Sequence, residues 1–221
     1  MAVEQCKCPD TPVAAGDRGD LEVEGDLNLD AEKHGMYRTV VGILLHIVVD
    51  RGDLAYGIRL VSRKLGEPME SDWTRLKRLV KYAHGTREDW QLVNPTKESD
   101  NLKVHVDSDW AGDKITRKSC SCAVIHLDGV ILAMFVRGQK IEALSSAEAE
   151  FYAAVMGIAE ALHIQQLLAW LGDPRRLEVF SDSSAARSIL ARMGVGKVRH
   201  LQVKLLWVQR LVNSGQVLVS K

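Results

Sequence analysis

No stretch of the 221 residues approaches the ~18 consecutive apolar positions of a membrane span. The opening MAVEQCKCPD also lacks the apolar run of a secretory signal. An intracellular protein, cytoplasmic or nuclear, with no membrane partner is therefore expected. Net charge is missing as well, because 29 Lys and Arg stand against 29 Asp and Glu. A nucleic-acid partner can then be argued only from local clustering. Cysteine is scarce: four residues in two C-x-C pairs, Cys6/Cys8 and Cys120/Cys122. A zinc site more usually shows C-x-x-C spacing, so these read as free thiols in a reducing compartment.

What remains is ordinary for a globular chain, with 46% hydrophobic and 26% charged residues and enough length for a sizeable core. Residues 1–34 are acidic, from Asp10 and Asp17 to Asp30 and Glu32, with the composition of a flexible linker. Over 35–88 three helices are expected, in YRTVVGILLHIVV, DLAYGIRLVSRKLG and WTRLKRLVKYAHG. The last carries Trp73, Leu76, Leu79, Val80 and Ala83 at helical spacing. Its other faces carry Arg75, Lys77, Arg78 and Lys81, either to track a duplex backbone or as a solvated face. Residues 89–100 read as a linker.

From 101 to 221 the pattern turns to strands. LKVHVDSD, CSCAVIHLD and VILAMFVRG are followed by a long helix over 145–171, a strand LEVFSD, a short helix, a helix over about 199–213 and a last strand QVLVS. The order β-β-β-α-β-α-α-β implies an α/β fold with a mixed five-stranded sheet, an antiparallel meander first and then parallel strands.

Two aspartates lie at strand ends: Asp107 in VHVDSDWAGD and Asp182 in VFSDSS. Acids at such edges are placed as site residues are. A third acid should come from the long helix, where Glu148 and Glu150 compete. Ser145-x-x-Glu148 is a capping box, in which Glu148 returns to the Ser145 amide. Glu150 is then free, with small neighbours Ser146, Ala147, Ala153 and Ala154 one turn away. Three converging carboxylates need cations between them, and hard oxygen ligands suit Mg²⁺ or Mn²⁺. Two such ions would serve in-line displacement at a phosphodiester.

HVDSDWAGDKITRKSCS, VRGQKIEALSSAEAEFYAA and VFSDSSAARSI resemble, in order and spacing, the RNase H domain of Copia-type retrotransposon Pol polyproteins. The family pattern there is D-x-D-W-A-G, R-R-S, L-S-S-x-E-A-E-Y and D-N-x-S-A. The segment from Tyr37 to Thr86 is similar to the thumb or connection of the same family's reverse transcriptase, with Gly52 where proline is usual. The resemblance implies an RNase H-like fold and cleavage of RNA in RNA–DNA hybrids with two Mg²⁺ ions. It places catalytic, metal-binding roles on Asp107, Glu150 and Asp182, in an order that differs from that of the related integrase cores. The implied partners are the hybrid and the remainder of the polyprotein.

No adjacent Asp pair occurs anywhere, so the Y-x-D-D signature of the polymerase site is lacking. The family's fourth aspartate, in A-D-x-x-T-K after the last strand, is also missing, and Gln202 stands where K-H-I-D has its aspartate. A C-terminally truncated site with impaired cleavage is expected, or else a non-catalytic remnant that at most binds nucleic acid. Arg117 and Lys118 are candidate phosphate contacts or a solvated turn. Trp110 is a stacking platform or a core anchor. His200 lies near the site or simply begins a helix. Asp109 is expected to form a turn or to support the site indirectly. The oligomeric state is left open.

Overall fold

The computed structural model describes residues 8–19, 25–89, 93, 99–194, 196 and 205–221, in two compact units, Met1–Gln91 and Leu92–Lys221. Among the described residues no helix is long and apolar enough to cross a membrane.

In the first unit, helix α1 (Ala31–Ile47) begins six residues before its apolar run, because the Asp30 carboxylate caps it by accepting from the Lys33 amide. A 3-10 turn at Gly52–Leu54 leads into α2 (Ala55–Ser62), which stops short of the expected end at Gly66. Helix α3 (Glu70–Gly85) is held at its start by Asp72, whose carboxylate accepts from the Met69 amide at 3.1 Å. Tyr37, Val41, Leu44, Leu54, Ile58, Trp73, Leu76 and Leu79 form the core, with Val80 and Ala83 partly buried against it.

The described part of residues 1–34 departs from a flexible linker. Leu29 is buried in that core, Asn28 bridges Met69, and Asp17 pairs with Arg75 at 2.8 Å. Arg75 also holds Asp72 at 2.8 Å and is only 15% exposed, while Arg78 donates to the carbonyl and hydroxyl of Thr11. Both arginines thus secure this unit internally. Of the two, Arg75 is committed to two carboxylates of its own unit.

The second unit is a five-stranded sheet in the order β3-β2-β1-β4-β5. Strands β1 (Asn101–Asp109), β2 (Cys120–Leu127) and β3 (Val130–Gly138) form the antiparallel meander, and β4 (Arg176–Phe180) and β5 (Val217–Ser220) run parallel to β1. Asp128 and Gly129 close the β2–β3 hairpin with φ of 49° and 80°. Both central residues therefore have the positive φ of the two-residue hairpin turn that matches strand twist. Helix α4 (Ser146–Trp170) returns the chain across the sheet, and α5 (Ser184–Ala191) and α6 (Trp207–Asn213) lead to β5. This order and these directions make the fold RNase H-like. Of the helix expected over 199–213, the described part is α6, which buries Val208.

Alternation on β1 buries Leu102, Val104 and Val106 under α4 and leaves His105 and Asp107 exposed. The helix meets this face with Ala153, Ala154, Gly157 and Ala161, none of which holds the sheet away. A Cβ on Gly157 would stand 2.6 Å from Val106 Cγ1 and 3.2 Å from Val104 Cγ1. Glu150 lies seven residues before Gly157 and hence on the same stripe, at the end that overhangs the edge of the sheet.

Gly157→Val should therefore overpack the α4–β1 contact and destabilise the protein by about 2 kcal/mol, read from its urea midpoint. Unchanged stability would mean that the contact is looser than the geometry states.

Candidate metal centre

Because β1 and β4 run parallel with His105 opposite Phe180, they finish side by side. Asp107 stands near the end of β1, and Asp182 lies two residues past β4, just ahead of α5. Ser183 caps α5 by accepting from the Ala186 amide at 3.1 Å, and Arg187 reaches back to the Ser181 carbonyl. The turn holding Asp182 is thus fixed on both sides. Glu150, one turn into α4, completes the set. Asp107, Glu150 and Asp182 each offer an oxygen within 4.8 Å of the others, and among the described residues no other His, Cys, Asp or Glu joins them.

The three acids are not equivalent. Asp107 and Asp182 are exposed, whereas Glu150 is 6% exposed. Its Oε1 accepts from the Ser108 amide at 3.2 Å and from the Ser108 hydroxyl at 3.0 Å. Its Oε2 is buried and has no hydrogen-bond partner among the described residues. Burial pushes the Glu150 carboxyl above its ordinary range, and the charges of Asp107 and Asp182 push it further, against the opposing hydrogen bonds from Ser108. A buried carboxylate oxygen without a donor, on a residue clustered with two further carboxylates, belongs to a donor set that fits a hard divalent cation.

Glu148 has the structural task expected of it, with one difference. Ser145 caps α4 by accepting from the Glu148 amide at 3.2 Å, but Glu148 Oε2 takes the Leu144 amide at 2.8 Å rather than that of Ser145. Its other oxygen accepts from the Tyr152 hydroxyl, so the carboxylate is fully engaged at 1% exposure.

Asp109 forms the turn. Its Oδ1 accepts from the Cys120 amide, and a Cβ on Gly112 would stand 2.0 Å from its Oδ2. Gly112 is thus the residue that leaves room for this carboxylate. Asp113 closes the following loop, accepting from the amides of Ile115 and Thr116 at 3.1 Å each. That loop holds Arg117 exposed and Lys118 half-buried. Trp110 is neither buried nor loose. It is 50% exposed, with Nε1 donating to the Ala143 carbonyl at 2.9 Å. The core-anchor expectation fails because the chain has already left the sheet at Asp109. His200 and Gln202 lie outside the described residues.

Two contributors carried no signal of their own. Ser108 sits inside the D-x-D motif at a position open to any residue, and Gln139 lies in a polar loop. Gln139 Nε2 donates to Ser121 Oγ and to the Ala149 carbonyl, both at 2.9 Å, tying β2 to the first turn of α4 beside Glu150. Cys122 lies opposite Asp107 across β1 and β2, and burial pushes its thiol pKa up, the Asp107 charge adding to the effect.

No family model matches the sequence. The chain is 29% identical over 188 residues to the Retrovirus-related Pol polyprotein from transposon TNT 1-94 of Nicotiana tabacum, covering 84% of this chain and 14% of that protein. It is 27% identical to the Pol polyprotein from transposon RE2 of Arabidopsis thaliana, covering 83% of this chain and 13% of that protein. The Secreted RxLR effector protein 161 of Plasmopara viticola is 31% identical over 131 residues, 59% of this chain and 92% of that protein. Among solved structures, LC11-RNase H1, isolated from compost by a metagenomic approach, has a TM-score of 0.37 at 16% identity, covering 55% of this chain and 84% of that one. The chain thus spans about one seventh of the length of the transposon polyproteins it matches.

The raised Glu150 pKa has a consequence for the metal-free protein. A carboxyl that holds its proton more tightly when folded loses stability as pH rises through that range, and the loss persists at neutral pH. Glu150→Gln should therefore raise the melting temperature of the metal-free protein at pH 7 and leave it unchanged near pH 4. A lowered melting temperature at pH 7 would contradict the burial and repulsion described.

Proposed function

We propose, from its similarity to the Pol polyproteins of Copia-type retrotransposons, that the RNase H-like unit of this chain cleaves the RNA strand of RNA–DNA hybrids at a two-metal centre. The observation that carries the reading is the convergence of Asp107, Glu150 and Asp182 within 4.8 Å, with a buried Glu150 oxygen left without a donor. All three lie where the parallel strands end, the edge at which α/β sheets present their sites.

Asp107, Glu150 and Asp182 would hold the ions, Mg²⁺ or Mn²⁺, which suit a donor set of carboxylates alone. When bound, the ions polarise the phosphodiester, lower the pKa of an attacking water and stabilise the leaving oxygen. The exposed aspartates Asp107 and Asp182 face the side from which a duplex can approach, while Glu150 closes the site from within. Arg117, exposed on the loop after β1, is the side chain we assign to a substrate phosphate, with Lys118 beside it. Hybrid recognition then rests on shape, sugar hydroxyls and backbone rather than on base sequence. The remainder of the polyprotein is the proposed working partner.

Three carboxylates bring three negative charges to two ions carrying four positive ones. With only these three acids among the described residues, a second ion would be held more weakly, and cleavage by this chain alone would be slow.

The test is cleavage of an end-labelled RNA–DNA hybrid by the full chain in Mg²⁺ or Mn²⁺. Metal-dependent cuts in the RNA strand are expected, with double-stranded RNA left intact. Asp107→Asn should lower the rate by at least about 100-fold, since a metal ligand contributes several kcal/mol to the transition state. Salt-sensitive hybrid binding that ignores Mg²⁺ and yields no cuts would identify a non-catalytic remnant instead.

A further inference from the structure

Glu150 is gripped by one residue from two directions. Ser108 continues the face of β1 that carries Val104 and Val106, so its side chain points toward α4. Its amide and its hydroxyl both donate to the same oxygen, Oε1, at 3.2 and 3.0 Å. The other oxygen receives nothing and is buried. A carboxylate held in this way is divided in function, with one oxygen occupied by the sheet and the other left for a cation. Charge-assisted donors of this kind also fix the rotamer, since swinging the side chain away breaks both bonds together.

The need for such a grip comes from the neighbours. Asp107 and Asp182 repel a charged Glu150, and no other donor reaches it among the described residues to oppose that push. We infer that Ser108 is a positioning residue whose hydroxyl orients Glu150 so that Oε2 alone faces the ions. This rests on the proposed reading of the acidic cluster as a metal centre. It adds that Glu150 serves through a single oxygen and that the residue between the two aspartates of the motif sets metal affinity. The amide alone cannot replace the hydroxyl, because one hydrogen bond leaves the carboxylate free to rotate about it.

The experiment is titration of the full chain with Mn²⁺, followed by the paramagnetic resonance of the free ion, for the wild type, Ser108→Ala, Ser108→Thr and Glu150→Gln. Ser108→Ala should weaken Mn²⁺ binding by about tenfold, the worth of a hydrogen bond to a charged group. Ser108→Thr keeps the hydroxyl on a residue suited to a strand and should bind within about twofold of the wild type. Without metal, Ser108→Thr should melt where the wild type does and Ser108→Ala only a few degrees lower, still folded at the temperature of the titration, which separates orientation from unfolding. Equal affinity in Ser108→Ala and the wild type would overturn the inference, as would equal weakening in Ser108→Ala and Ser108→Thr. A wild type that binds no Mn²⁺, or a Glu150→Gln variant that binds it undiminished, would instead overturn the metal-centre reading beneath it.

Discussion

Mutual repulsion among three carboxylates within 4.8 Å is the constraint that the second unit is built to withstand. It is met by rigid elements rather than by loops. The parallel pairing of β1 and β4 brings Asp107 and Asp182 to one edge. Alanines and a glycine on α4 let the helix lie close enough to β1 for Glu150 to reach the same place. Each support also has a second tie: Ser108 to Glu150, Gln139 to the first turn of α4, and Arg187 to the turn before α5. Without a cation the arrangement costs stability.

A division of labour between neighbouring acids runs through the site. Glu148 and Glu150 are two residues apart and both buried, yet one is fully engaged by the Leu144 amide and the Tyr152 hydroxyl and the other keeps an open oxygen. Asp107 and Asp109 show the same contrast on β1, where Asp109 is spent on the Cys120 amide. Burial alone would not separate the two glutamates. The count of donors at each oxygen does.

Much of this was legible in the amino-acid sequence, for identifiable reasons. Period-two alternation marks β1, β2 and β4, and the Asp128-Gly129 pair marks the hairpin. The capping box at Ser145 singles out Glu150 by giving Glu148 other work. What escaped notice depends on partners distant in sequence. Arg75 looked like part of a basic face because nothing local shows that Asp17, 58 residues away, turns back to meet it. The acidic composition of residues 1–34 suggested solvation for the same reason. Trp110 looked like a core residue because tryptophan usually is one, and only its exposure and its bond to Ala143 place it at the rim. The Glu148 side chain closes on Leu144 instead of Ser145, a difference of one residue that pattern alone does not resolve.

The central claim is that Asp107, Glu150 and Asp182 form a divalent-metal centre of an RNase H-like domain. Its most direct test is anomalous diffraction from crystals of the protein grown or soaked with Mn²⁺. The account predicts anomalous density between the three carboxylates, with Glu150 contributing Oε2 while Oε1 stays on Ser108. Saturating Mn²⁺ with no density between the three side chains, or density only at surface acids elsewhere, would contradict it.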